Sequence, residues 1–131
     1  MSKGSIYISP SGPIGPQGDS AFDRTINEQT GTTYTIAVSD ELKLVTLENA
    51  SPVTVTIDTN ANVACPIGSR IDLLQKGAGK VTFSGGAGVT INSKSGNKSI
   101  GGRYVAVSII QYATDYWYLI GDLIAWFHQE F

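Results

Sequence analysis

From Thr33 to Gly121, runs of β-branched and aromatic residues recur at short intervals, each cut off by a cluster of Gly, Asn, Asp or Ser. That rhythm predicts a packed set of short strands and leaves no room for a long helix. Strands are expected near Thr33–Val38, Leu42–Leu47, Val53–Ile57, Arg70–Gln75, Lys80–Ser84, Val89–Asn92, Tyr104–Tyr112 and Tyr116–Gly121. Val53, Val55 and Ile57 alternate with Thr54 and Thr56, which sends the aliphatic residues to a core and leaves threonines on the other face. Leu44, Leu73, Leu74, Val81, Phe83, Val89 and Ile91 are expected in the same interior. The runs Val105–Ile110 and Tyr116–Ile120 are apolar on both faces, as in a central strand or a subunit interface.

Charged residues make up 15% of the chain, against roughly 25% for an ordinary soluble domain. Thr, Ser, Asn and Gly take their place, which suits sheet faces and tight turns better than exposed helices. At 131 residues there is material for one core. The expected fold is therefore all-β: a compact sandwich or jelly-roll-like domain over residues 33–123, with about eight short antiparallel strands. An extended arm over residues 1–32 precedes it and an apolar docking tail over 124–131 follows it.

The arm is rich in Ser, Gly and Pro and cannot build a core of its own. Within it Gly12, Gly15 and Gly18 open three consecutive Gly-X-Y triplets, the pattern needed where three polyproline II strands wind together and only Gly fits at the axis. The stretch reads either as a trimerising stub or as a plain extended linker. Ahead of it Ile6, Tyr7 and Ile8 lie in Ser5–Ser9, which alternates apolar and polar residues at the two-residue period of a strand. These three residues are expected to add to a sheet, on a partner subunit or on the chain's own domain. In the tail, Trp126, Phe127 and Phe131 expose aromatic surface at a chain end and are expected to dock on something.

Asp115 separates the last two long runs, so these are expected to form a hairpin that brings Tyr112, Tyr116, Trp117 and Tyr118 together. Such a cluster has three readings: core packing, an oligomer interface centred on Trp117 and Tyr118, or a platform on which sugars stack.

Chemistry is harder to find. The single histidine, His128, lies in the apolar tail, and the single cysteine, Cys65, has no partner for a disulfide or a metal. Cys65 is expected to be a small buried hydrophobe. The carboxylates Asp40, Glu41, Asp58, Asp72, Asp115 and Asp122 show no paired context, and Asp40, Asp58 and Asp115 sit where turns favour Asp. Gly77-Ala78-Gly79-Lys80 fails as a phosphate loop, because Leu74 stands where its first glycine belongs and Val81 follows the lysine; a hairpin turn is expected instead. No catalytic residue, metal ligand or cofactor is expected. A net charge of −2 without a basic stripe argues against nucleic acid. The apolar clusters are far shorter than the ~20 residues of a membrane helix. Without a signal-like N-terminus, a chain made in a cytoplasm is expected.

The stretches Thr33–Asp40, Lys43–Val45 and Asn49–Ile57 resemble a β-structured module found in tail-fibre and other virion structural proteins of tailed bacteriophages. The likeness continues through Pro66–Asp72, Gln75–Thr82, Gly86–Asn92 and Trp117–Leu123. Gly-X-Y stubs also recur in phage fibres. The resemblance implies a non-enzymatic virion protein and a homotrimer. Its partners would be other virion proteins, the major capsid protein or tail proteins. A small capsid decoration, cement or head-fibre protein anchored by its arm is the leading expectation. A short tail fibre or tail adaptor is the alternative, and a carbohydrate-binding module reading host glycans is the expectation from another class.

Overall fold

The computed structural model describes residues 25–125. Among these residues eleven short strands form two packed sheets: β1 (Asn27–Gln29), β2 (Thr33–Thr35), β3 (Leu44–Leu47), β4 (Val53–Ile57), β5 (Arg70–Gln75), β6 (Val81–Gly85), β7 (Thr90–Ser93), β8 (Ser99–Ile100), β9 (Ala106–Ala113), β10 (Tyr116–Gly121) and β11 (Leu123–Ile124). One sheet has the order β1-β3-β5-β9-β10-β7 and the other β11-β8-β6-β4-β2. The expected all-β sandwich is the fold of the described residues.

Strand direction departs from expectation. Five ladders are parallel: β1 with β3, β3 with β5, β2 with β4, β4 with β6, and β7 with β10. Antiparallel pairing is confined to the later part of the chain, in β5–β9, β9–β10, β6–β8 and β8–β11. The cause is that successive strands alternate between the sheets. The chain lays down one strand in each sheet, then returns to stack the next pair on the first. Residues 27–35, 44–57 and 70–85 thus form three stacked rungs, with Asn27, Val45 and Leu73 in one column and Tyr34, Val55 and Phe83 in the facing one.

The links from the first sheet to the second are consequently arches and not hairpins, including the one through Gly77–Lys80. These arches stack by backbone contact. Glu48 N–H donates to Gln29 O, Lys76 N–H to Leu47 O at 2.8 Å, and Gly79 N–H to Asn49 O at 2.8 Å. A Cβ at Gly77 or Gly79 would lie 2.6 or 2.7 Å from the carbonyl oxygen of Asn49. Glycine is needed here because two backbones touch.

The rungs enclose one core. Val45, Leu47, Ile71, Leu73, Val107, Ile109, Trp117 and Leu119 come from the first sheet; Val53, Val55, Ile57, Val81 and Phe83 come from the second. The alternation read in Val53–Ile57 is realised, with the aliphatic residues buried and Thr54 exposed. In the first rung the inward columns turn polar: Asn27 stands over Val45, Gln29 over Leu47 and Tyr34 over Val55. Asn27 Nδ2 donates to Tyr34 Oη (2.7 Å) and Asp40 Oδ1 (2.9 Å), and Gln29 Nε2 donates to Asn27 Oδ1 (2.8 Å). Among the described residues this hydrogen-bonded layer, or lid, ends the stack of rungs, in the manner of a polar cap.

Boundaries shift for identifiable reasons. The strand expected to reach Val38 stops at Thr35, because Asp40 Oδ2 takes the N–H of Ala37 and residues 38–40 turn as a 3₁₀ helix. β3 starts at Leu44, after Leu42 adopts φ 65°. β1 lies inside the stretch read as arm, and Ile124 of the expected tail pairs in β11, so the sandwich extends past both expected boundaries.

Candidate binding surface

β9 and β10 form the expected hairpin, turning at Asp115 with φ 63°. Side chains alternate across β10. Trp117 and Leu119 face the core at 3% and 1% exposure, while Tyr116, Tyr118 and Ile120 face outward at 46%, 45% and 44%. Of the pair expected at an interface, Trp117 is therefore a core residue and only Tyr118 reaches a surface. The period of two within one strand separates neighbours that the sequence places side by side.

On the outer face the tyrosines do converge. Tyr112 stacks on Tyr118 with centroids 4.1 Å apart and planes at 20°, and Tyr116 packs against Tyr112 at 5.9 Å in a tilted arrangement. Asn92, opposite Tyr118 on β7, reaches across to donate from Nδ2 to Tyr112 Oη at 2.6 Å. The two rings are thereby fixed by a stack at one end and a hydrogen bond at the other. Beside them a cavity of about 280 Å³ is lined by Asn92, Ser93, Lys94, Tyr118, Leu119 and Ile120. It opens where β7 leaves the sheet: the ladder ends at Leu119–Ser93, and the chain turns away through residues 94–96.

Further along the same face Ile110 pairs with Tyr118 on one side and Arg70 on the other. Ser108 Oγ donates to Asp72 Oδ1 at 2.5 Å and accepts from Arg70 Nη2 at 3.1 Å. The face thus runs from an aromatic end, through aliphatic residues, to a charged hydrogen-bonded group. Asn92 and Lys94 leave no signal in the spacing of the sequence, because they reach Tyr118 through the parallel pairing of β7 with a strand 26 residues later. Ile120 lies two residues from Tyr118 on β10 and shares its outward face, as the period of a strand dictates.

The reactive groups have structural employment. Asp40 is buried, accepting from Tyr34 Oη (2.5 Å), Ala37 N and Asn27 Nδ2. Burial and the Asp40 carboxylate raise the Tyr34 hydroxyl well above its ordinary pKa of 10. Asp58 takes the N–H of Thr59, a local turn contact as expected, whereas Asp115 takes the N–H of Asn60, which is distant in sequence. Cys65 is buried as expected, and burial, with Glu41 and Asp40 nearby, raises its thiol pKa. Among the described residues no group of His, Cys, Asp and Glu is placed to hold a metal. Tyr104, expected to open the strand Tyr104–Tyr112, instead precedes β9 in a turn at φ 68°, with the Arg103 guanidinium 5.0 Å above its ring.

Ile6, Tyr7, Ile8, Gly12, Gly15, Gly18, Trp126, Phe127 and Phe131 lie outside the described residues. No family model, curated protein or solved structure matches the chain.

Proposed function

We propose that this chain is a non-enzymatic structural protein of a bacteriophage-like virion. It acts as a small homotrimeric capsid decoration, cement or head-fibre protein, held to other virion proteins by its N-terminal arm. The observation that carries the reading is the division of labour along the chain. The residues that resemble the phage module fall on the stacked rungs and the terminal hairpin, and the Gly-X-Y triplets precede the first rung in sequence. The commitment of Asp40, Asp58, Asp72, Asp115 and Cys65 to structural contacts supports a scaffold over a catalyst. Three arms joined near the triplets would bind a particle multivalently, with an avidity beyond that of one arm.

The test is light scattering on the full chain beside a truncation that starts at Thr25 and so keeps β1. A mass near three times 13.9 kDa for the full chain, falling to one copy with loss of particle binding on truncation, is the expected result. A monomer in both forms overturns the trimer, and particle binding that survives truncation overturns the anchoring role of the arm.

A further inference from the structure

The notch beside Tyr118 has the makings of a ligand site, and we infer that it takes a single hexopyranose unit of a glycan. The inference stands independently of the virion reading. Tyr118 offers a ring that is nearly half exposed, held from one side by Tyr112 at 4.1 Å. The face of an aromatic ring carries negative charge and attracts the weakly positive C–H groups on the flat side of a pyranose. A platform helps binding most when its rotamer is already fixed, because little side-chain entropy is then lost. The 2.6 Å bond from Asn92 to the Tyr112 hydroxyl supplies that fixation.

Polar groups surround the ring on the side where sugar hydroxyls would lie. Asn92 spends one amide hydrogen on Tyr112 and keeps its exposed carbonyl oxygen as an acceptor, and the exposed Lys94 brings an ammonium donor to the rim. Leu119 and Ser93, paired across the β7–β10 ladder, also line the notch, and Ile120 adds an exposed apolar side chain to it. A few directional polar groups around a mostly apolar cavity is the usual make-up of a small-ligand site. At about 280 Å³ the notch has room for one pyranose ring. A second copy of the chain is the competing occupant, but the centre of a protein interface is depleted of charge, whereas this notch is rimmed by the Asn92 amide and the Lys94 ammonium.

The experiment is saturation-transfer NMR on the full chain with the methyl glycosides of glucose, galactose, mannose and N-acetylglucosamine. Transfer to the ring C–H protons of at least one glycoside is expected. It should fall at least fivefold in Tyr118→Leu, which keeps apolar cover but removes the ring, and in Asn92→Ala, a surface change that serves as the test should the first variant not fold. Tyr104→Ala, which removes an exposed aromatic elsewhere, should leave the signal unchanged. Absence of transfer from all four glycosides, or transfer that persists in both site variants, overturns the inference. So does a fall in solution mass on Tyr118→Leu, which assigns the face to a subunit contact.

Discussion

The Tyr34 hydroxyl donates to Asp40 Oδ2 at 2.5 Å while accepting from Asn27 Nδ2 at 2.7 Å, so one phenol joins three elements across the end of the sandwich. Asn27 comes from β1, Tyr34 from β2 and Asp40 from the turn that leads to β3. Removing the hydroxyl leaves a buried carboxylate short of one strong donor. Tyr34→Phe is expected to cost about 1–3 kcal/mol, the range for orphaning a buried polar partner. Chemical denaturation of the variant beside the wild type measures it.

Burial of the same phenol, together with its contact to Asp40, sets an alkaline limit. Tyr34 is held protonated in the fold, with its pKa raised above the ordinary 10 that it recovers on unfolding. Below pH 10 the contribution is fully present. As pH rises above that value the unfolded chain gives up the proton first, so stability falls until the folded pKa is passed. Denaturation midpoints taken between pH 9 and pH 11.5 should fall more steeply for the wild type than for Tyr34→Phe. Parallel slopes would show that this phenol does not set the limit.

Only part of this lid is legible in the sequence: Asp40 has the setting of a turn residue, and it is one, but its burial depends on Asn27 and Tyr34 being brought over it by the parallel stacking of rungs. Alternation within Val53–Ile57 reveals which residues face a core, because that information is local to a strand. It does not reveal whether the next strand pairs beside it or crosses to the opposite sheet. The Gly77–Lys80 stretch has turn composition in either case, and only contact with the Asn49–Ser51 backbone distinguishes an arch from a hairpin. The tyrosine cluster was legible for the same local reason as the strands, since Tyr112, Tyr116 and Tyr118 flank one turn. Asn92 and Lys94 were not, because a parallel pairing joins distant segments without leaving a mark on spacing.

The arches give a direct test of the stacking. At Gly79 an added methyl group would be driven into the Ser51 and Asn49 backbone, which cannot rotate away. At Gly102 nothing lies within 4 Å and φ is not positive. Gly79→Ala is expected to cost at least ~1–3 kcal/mol, as overpacking does. Gly102→Ala should be neutral or slightly stabilising, through reduced freedom of the unfolded chain. Equal effects at the two positions would contradict close stacking of the arches.

Trp117 and Tyr118 are adjacent in sequence and should behave as opposites. Trp117→Ala removes a side chain sealed between the sheets and should cost about 3–5 kcal/mol. Tyr118→Ala removes a half-exposed outward ring and should cost less: about 0.5–1.5 kcal/mol for the aromatic pair plus roughly half of the 1.5–3 kcal/mol that full burial of such a side chain is worth. Thermal melts of the two variants separate these outcomes, and a reversed order would mean that the inward and outward faces of β10 are exchanged.

Cys65 provides a probe of the core that needs no mutation. Its side chain is buried, with burial the largest cause of its raised thiol pKa and the nearby Glu41 and Asp40 carboxylates adding to it. Both factors slow reaction with a disulfide reagent: access requires opening, and the nucleophile is the thiolate, which is scarce at neutral pH. In the folded protein at pH 8, labelling should therefore follow the rare open state, and its rate should rise with denaturant in step with unfolding. Tyr34→Phe, which loosens the lid beside Asp40, should label faster than the wild type by the factor that its loss of stability predicts. Labelling at the rate of a free thiol in native buffer would show that Cys65 is open to solvent and that the sandwich is not closed on that side.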